Sequence, residues 1–189
     1  LETNYRSIEP VIRDGEAVLA GVRFKQAKTS RPNRPMQPGD HGVRLVTGFE
    51  LNGGLAQLVA EIKAQCAHVV ERGSRERTAV LLLGRRNDTL RAIQAELDRK
   101  LPVKAYTIHR AKGLQAEVAI VVDDCLPPQA HPLRNALYAY CGFFRNSYDQ
   151  AMADESLRLA YVAITRGVSR VLWYTRKAQG ATALLRPRG

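Results

Sequence analysis

Val103-Lys-Ala-Tyr-Thr-Ile-His-Arg-Ala-Lys-Gly-Leu-Gln-Ala-Glu-Val-Ala-Ile-Val-Val122 reads as a strand, a polar turn and a second strand. The second run, Val118–Val122, is almost wholly apolar, as is Ala79–Leu83. Continuous rather than alternating hydrophobicity is the pattern of strands covered on both faces, which means a parallel sheet. Val43–Thr47, Thr78–Leu83, Val103–Thr107 and Ser169–Tyr174 complete a set of five expected strands. Between them lie helical patterns over Gly54–Glu71, Asp88–Arg99 and Asp154–Ala163, with Leu90, Ile93 and Leu97 sharing one face of the second. An N-terminal helix is expected over Ser7–Ala20. Alternation of strand and helix predicts an α/β domain with right-handed crossovers. Lys28–Asp40, with three prolines, reads as an exposed connection, and Pro127–Tyr148 as a loop with one helix.

The chain has 189 residues, 45% hydrophobic and 25% charged, which suits one folded domain and excludes a disordered or fibrous reading. Lys and Arg number 29 against 18 Asp and Glu, a net charge of +11. Such an excess points to a polyanion: nucleic acid, nucleotide or an acidic membrane surface. Arg far outnumbers Lys, as suits planar grips on phosphate. With no apolar run near the roughly 20 residues of a spanning helix and no signal-peptide pattern, a soluble, cytoplasmic protein without membrane contact is expected. Cys66, Cys125 and Cys141 are scattered and form no C-x-x-C, so neither a disulfide framework nor a metal site is expected, only reduced and mostly buried thiols.

Three stretches carry chemistry. Thr107–Glu117 follows a strand, so its polar groups are expected at the carboxyl end of the sheet, where open α/β sheets bind ligands. Gly113 permits a tight turn with exposed N–H groups, Lys112 supplies a cation, and Thr107 and His109 are short donors suited to a phosphodiester. Singly, a Lys-Gly is a turn and a histidine is structural; the combination is more specific. Asp154–Gly167 reads as a helix opening on two acids, with Leu157, Tyr161 and Ile164 on its packing face and Arg166 presented at its end. In Thr3-Asn4-Tyr5-Arg6-Ser7, a ring able to stack on a base adjoins a guanidinium able to reach a phosphate.

In this order, Asn-Tyr-Arg-Ser at 4–7, Thr-x-His-x-x-Lys-Gly-Leu at 107–114 and Arg-Leu-x-Tyr-Val-Ala-x-Thr-Arg at 158–166 resemble motifs IV, V and VI of UvrD/Rep-like superfamily 1 DNA helicases. Arg85-Arg86-Asn87, after a strand, is similar to motif IVa. The resemblance covers residues 1–176 and implies a RecA-like three-layer α/β domain with a mostly parallel sheet, the second motor domain (2A) of such helicases; residues 177–189 are expected to be a basic tail open to disorder. It further implies an ATP-dependent helicase or translocase, 3′-to-5′, acting on single-stranded DNA and the duplex junction in replication or repair. Tyr5 would stack on adenine and Arg6 and Arg166 would reach the γ-phosphate as the catalytic arginines. Gly113 and Gln115 would complete the ATP site, and Arg85, Asn87, Thr107 and His109 would hold DNA phosphates.

Departures from the pattern matter too. Position 115 is Gln where many members have Glu, and Ser156 and Leu157 replace polar or charged residues common in motif VI. The short interval between motifs IV and V leaves no room for a 2B insertion, so the chain resembles the compact helicase IV-like branch. It carries no G-x-x-x-x-G-K-[ST] loop. Asp123 and Asp124 are expected as strand-end surface residues rather than ligands of Mg²⁺. The resemblance therefore implies a fragment inactive alone, with ATP and Mg²⁺ bound mainly by an N-terminal motor domain of the same protein. The alternative from another class is a non-hydrolysing nucleic-acid-binding or regulatory module with degenerate helicase motifs.

Overall fold

The computed structural model describes residues 3–23, 31–74, 78–142 and 147–185, and the side chains of 3–5 and 31 lie outside that description. In chain order the elements are β1 (Thr3–Ile8), α1 (Glu9–Leu19), β2 (Arg31–Arg34), β3 (Val43–Val46), α2 (Leu51–Glu71), β4 (Val80–Gly84) and α3 (Asn87–Ala95). There follow β5 (Val103–Thr107), β6 (Ala116–Val122), α4 (Pro132–Tyr140), α5 (Tyr148–Ile164), β7 (Gly167–Tyr174) and a 3₁₀ turn at Gly180–Leu184.

The main sheet is wholly parallel, in the order β3-β7-β6-β4-β5. Strand periodicity sends alternate residues to opposite faces. Leu81, Leu83, Ala119, Val121, Val171 and Trp173 pack with Val11 and Val18 of α1 and Leu159, Ala160, Ala163 and Ile164 of α5. Val80, Leu82, Val118, Ile120, Val122 and Leu172 pack with Leu58, Ile62 and Cys66 of α2 and Leu90 and Ile93 of α3. Both faces are covered, which is why the central strands lack polar alternation. Each fully buried Leu or Ile contributes about 1.5–3 kcal/mol of transfer free energy.

Four expectations are corrected. β1 and β2 form a small parallel sheet of their own, so part of the Pro-rich Lys28–Asp40 connection is a strand and residues 7 and 8 belong to β1 rather than to the first helix. Helix α5 begins at Tyr148 behind a Ser147/Gln150 capping box, which leaves Asp154 and Glu155 in its middle. Asp154 is buried and accepts the Arg23 N–H at 3.3 Å. The tail expected from 177 folds as far as Leu185: Ala181 and Leu185 join the core beside α1 and α5.

Helix α4 has no buried residue. Asn135 ties it to Asp149, donating to the carboxylate at 2.6 Å and accepting the Asp149 N–H at 3.0 Å, and Tyr138 meets Tyr148 edge to face at 5.8 Å. Cys66 and Cys125 are buried and Cys141 is exposed. Burial pushes the Cys66 and Cys125 thiols up to about 11 and about 12, so both stay protonated and unreactive near neutrality.

At the end of α2, His68 packs among Arg170, Arg72, Glu71 and Asp40, with its Nε2 buried and lacking a hydrogen-bond partner among the described residues. Burial, followed by the two guanidinium charges, lowers its pKa below the ordinary 6.5. The unfolded chain therefore takes the proton first as pH falls through that value, and stability present above it is lost below. The unfolding midpoint is expected to drop between about pH 7.5 and pH 5.5, and His68→Gln to flatten that part of the profile. An unchanged slope in the variant would remove His68 as the source.

Candidate functional site

The expected site residues fall on two opposite edges of the main sheet. The Thr107–Glu117 stretch does not stay at the carboxyl edge, because it is the crossover from the end of β5 to the start of β6. Thr107 lies in register with Gly84 at the carboxyl edge, whereas Ala116 lies in register with Gly167 at the amino edge. The seven residues of β6 separate the edges by roughly 20 Å, at about 3.3 Å per residue.

The amino edge gathers Arg6, Gly113, Gln115 and Arg166. Arg166 follows the last turn of α5, and its main-chain oxygen accepts the Ala116 N–H at 3.0 Å. Its Nε donates to Val162 O at 3.0 Å, its Nη1 to Leu114 O at 2.9 Å and Ala111 O at 3.5 Å, and its Nη2 to Thr165 Oγ1 at 3.2 Å. Burial, and the nearby charge of Arg6, lower the Arg166 pKa, although Tyr161 raises it. A guanidinium remains charged through such a shift. Arg6 is exposed on β1, and Ser7 beside it donates to Gly167 O at 3.3 Å. Gln115 donates to Thr165 O at 3.4 Å. Gly113 has φ +89 with open space where a Cβ would stand, so the turn needs glycine for its backbone angle rather than for room. Tyr5 belongs to β1, but its side chain lies outside the described residues.

The carboxyl edge gathers Arg85, Asn87, Thr107 and His109. Arg85 follows β4 and donates to Leu126 O at 2.8 Å. Asn87 opens α3 and is exposed, Thr107 ends β5 and is buried, and His109 is exposed in the following turn. The chain leaves β4 toward β5 and leaves the adjacent β6 toward β7 on the other side, so the loops after β4 and β6 diverge. Such a switch point opens a crevice. Here it is a cleft of about 850 Å³ lined by Arg85, Arg86, Asp123, Asp124, Leu126 and Arg176 among others. Asn87, Thr107 and His109 are not among its lining residues.

Asp123 and Asp124 end a strand as expected, but they are half-buried rather than surface residues. Asp124 accepts from Thr175 Oγ1 and, at 2.7 Å, from Gln179 Nε2. Asp123 adopts φ 73, with its carbonyl held by the Trp173 indole N–H at 2.9 Å. Among the described residues no three of His, Cys, Asp and Glu come together as metal ligands.

Compared with solved structures, the chain is similar to the C-terminal domain of a possible DNA helicase from Lactobacillus plantarum WCFS1, with a TM-score of 0.52 and 15% identity over 97% of this chain and 94% of that one. The fold is RecA-like. At that identity the likeness is one of architecture. No family model and no curated protein matches the sequence.

Within the RecA-like domain, sequence reasoning missed Arg86 and Arg176 in the cleft lining. Their signal was position, since each stands within two residues of the end of a core strand. The packing face of α5 also differs: Leu159, Ala160, Ala163 and Ile164 meet the sheet, while Tyr161 leans on α1 at Gly15 and Leu157 on the turn after it at Gly21. Among the described residues no helix is long and apolar enough to cross a membrane.

Proposed function

We propose that the chain is the C-terminal motor domain of an ATP-dependent DNA helicase or translocase similar to the UvrD/Rep group, acting 3′-to-5′ in the cytoplasm in replication or repair. What supports this reading is the division of polar groups between two edges of one sheet: arginines Arg6 and Arg166 with Gln115 and Gly113 at the amino edge, and Arg85, Asn87, Thr107 and His109 at the carboxyl edge. A motor needs such a division, since one surface must meet nucleotide while another holds the strand.

In this reading Arg6 and Arg166 meet the γ-phosphate of ATP held by an N-terminal motor domain, Tyr5 stacks on the adenine, and Gln115 and Gly113 border the ribose and phosphates. The donor set at the amino edge fits a polyphosphate: two guanidinium groups and an amide. Arginines brought to the transferring phosphoryl group stabilise its spreading charge, which is most of what catalysis of this transfer requires. Among the described residues no three of His, Cys, Asp and Glu gather to hold Mg²⁺, which in this reading is bound mainly by the N-terminal motor domain. Arg85, Asn87, Thr107 and His109 hold phosphates of single-stranded DNA near the duplex junction, giving affinity without sequence preference.

The test is ATP turnover by the full-length protein with and without single-stranded DNA. Turnover that rises with DNA supports the motor. The second reading, a nucleic-acid-binding module without hydrolysis, is favoured by one observation: the Arg166 guanidinium is already committed to four oxygens of its own chain. DNA binding with no turnover decides for it.

A further inference from the structure

The ladder between β1 and β2 breaks where Arg6 lies. Thr3 pairs with Arg31, Asn4 with Pro32 and Ile8 with Arg34, so residues 5–7 of β1 stand against residue 33 alone. The register shifts between Asn4 and Ile8, and a side chain from β2 reaches this stretch. Arg34 Nη1 donates to the Arg6 main-chain oxygen at 3.5 Å, while its Nη2 lies 2.9 Å and 3.2 Å from the two carboxylate oxygens of Glu117.

Glu117 is the second residue of β6, and its own carbonyl accepts from Ser169 Oγ at 3.0 Å, so the carboxylate stands on the rigid main sheet. The pair is largely shielded, with 31% of the Arg34 side chain and 13% of the Glu117 side chain exposed. Arg34 thus runs from the main sheet to the one peptide of β1 that carries the exposed Arg6. A two-stranded sheet has little stability of its own, and this tie joins β1 to the main sheet beside the Ser7 Oγ bond to Gly167 O and the buried Ile8. The need is electrostatic as well, because Arg6 and Arg166 are close enough for one charge to disfavour the other.

We propose that Arg34 is a positioning residue: anchored on Glu117, it fixes the Arg6 main chain so that Arg6 and Arg166 face the same anionic ligand. This rests on the reading of Arg6 and Arg166 as phosphate-directed arginines. Arginine is required rather than lysine, because a planar fork can bond a carboxylate and a carbonyl at once, whereas an ammonium holds one geometry at a time.

The experiment uses the full-length protein and its DNA-stimulated ATP turnover, with Arg34→Ala, Arg34→Lys, Arg6→Ala and the double variant Arg6→Ala/Arg34→Ala. Arg34→Ala is expected to lower kcat about tenfold with KM for ATP little changed, and Arg34→Lys to recover part of that loss. On the Arg6→Ala background, removing Arg34 is expected to cost nothing further, because the group it positions is gone. Wild-type turnover from Arg34→Ala, or an equal loss on both backgrounds, overturns the proposal.

Amide hydrogen exchange at residues 6–8 supplies a readout independent of turnover: Arg34→Ala is expected to speed it without shifting exchange in β4 and β6. Unchanged exchange at 6–8 also overturns the proposal. If the wild-type protein shows no turnover, the motor reading falls, and the exchange measurement still decides whether Arg34 places the Arg6 peptide.

Discussion

Replacing Arg166 with alanine is expected to reduce DNA-stimulated ATP turnover of the full-length protein by about 10³-fold or more, with the fold retained. A factor of 10³ is about 4 kcal/mol of transition-state stabilisation. The expectation rests on the proposed motor and on the position of Arg166 directly after α5, with its peptide pinned to β6 through the Ala116 N–H. The guanidinium rests on the half-buried carbonyl of Val162 in the last turn of α5 and on the exposed carbonyl of Leu114, where water can replace it when the side chain swings to a phosphate. Lysine at the position keeps the charge but loses the planar fork, so Arg166→Lys is expected to recover only part of the rate. Steady-state turnover decides the matter, with the unfolding midpoint as a control on the fold. Undiminished turnover in Arg166→Ala would falsify the catalytic assignment.

The second large effect is on stability. Trp173 is fully buried near the carboxyl end of β7, and its indole N–H holds the carbonyl of Asp123 at 2.9 Å. Trp173→Ala removes the largest fully buried side chain and is expected to destabilise the domain by about 3–5 kcal/mol. Measured against a typical stability of about 5–15 kcal/mol, that leaves little margin. Trp173→Phe keeps most of the volume and removes the donor, so it is expected to cost about 1–3 kcal/mol. Denaturant midpoints at constant slope separate the two contributions. A cost below about 1 kcal/mol for the alanine variant would mean that the cavity collapses, contrary to its place between α1, α5 and the sheet.

The central strands β4 and β6 were legible because burial on both faces leaves a nearly continuous apolar run, and Val80–Gly84 and Ala116–Val122 lie within two residues of the expected limits. β1 and β2 were not legible. Thr-Asn-Tyr-Arg-Ser-Ile and Arg-Pro-Asn-Arg carry no strand period, and they pair with each other across a long interval. The true start of α5 was written in the sequence as Ser147-x-x-Gln150, a capping box, but Asp154-Glu155 resembles the acidic first turn of a helix and drew the boundary later.

Of the candidate site, the residue types could be read and the geometry could not. Thr107–Glu117 looks like one locus along the chain, yet a crossover between parallel strands must carry it from one edge of the sheet to the other. The ion pair of Arg34 and Glu117 joins residues that no local spacing connects.

Helix α4, which buries no residue and meets α5 through Arg134, Asn135 and Tyr138, marks a seam in the molecule. It lies in the long connection between β6 and α5. A cut in α4 would divide the sequence without dividing the sheet. β7 belongs to the C-terminal piece yet lies between β3 and β6 of the N-terminal piece, hydrogen-bonded to both. The two pieces would thus complete each other's hydrophobic face, and they are expected to stay associated after such a cut.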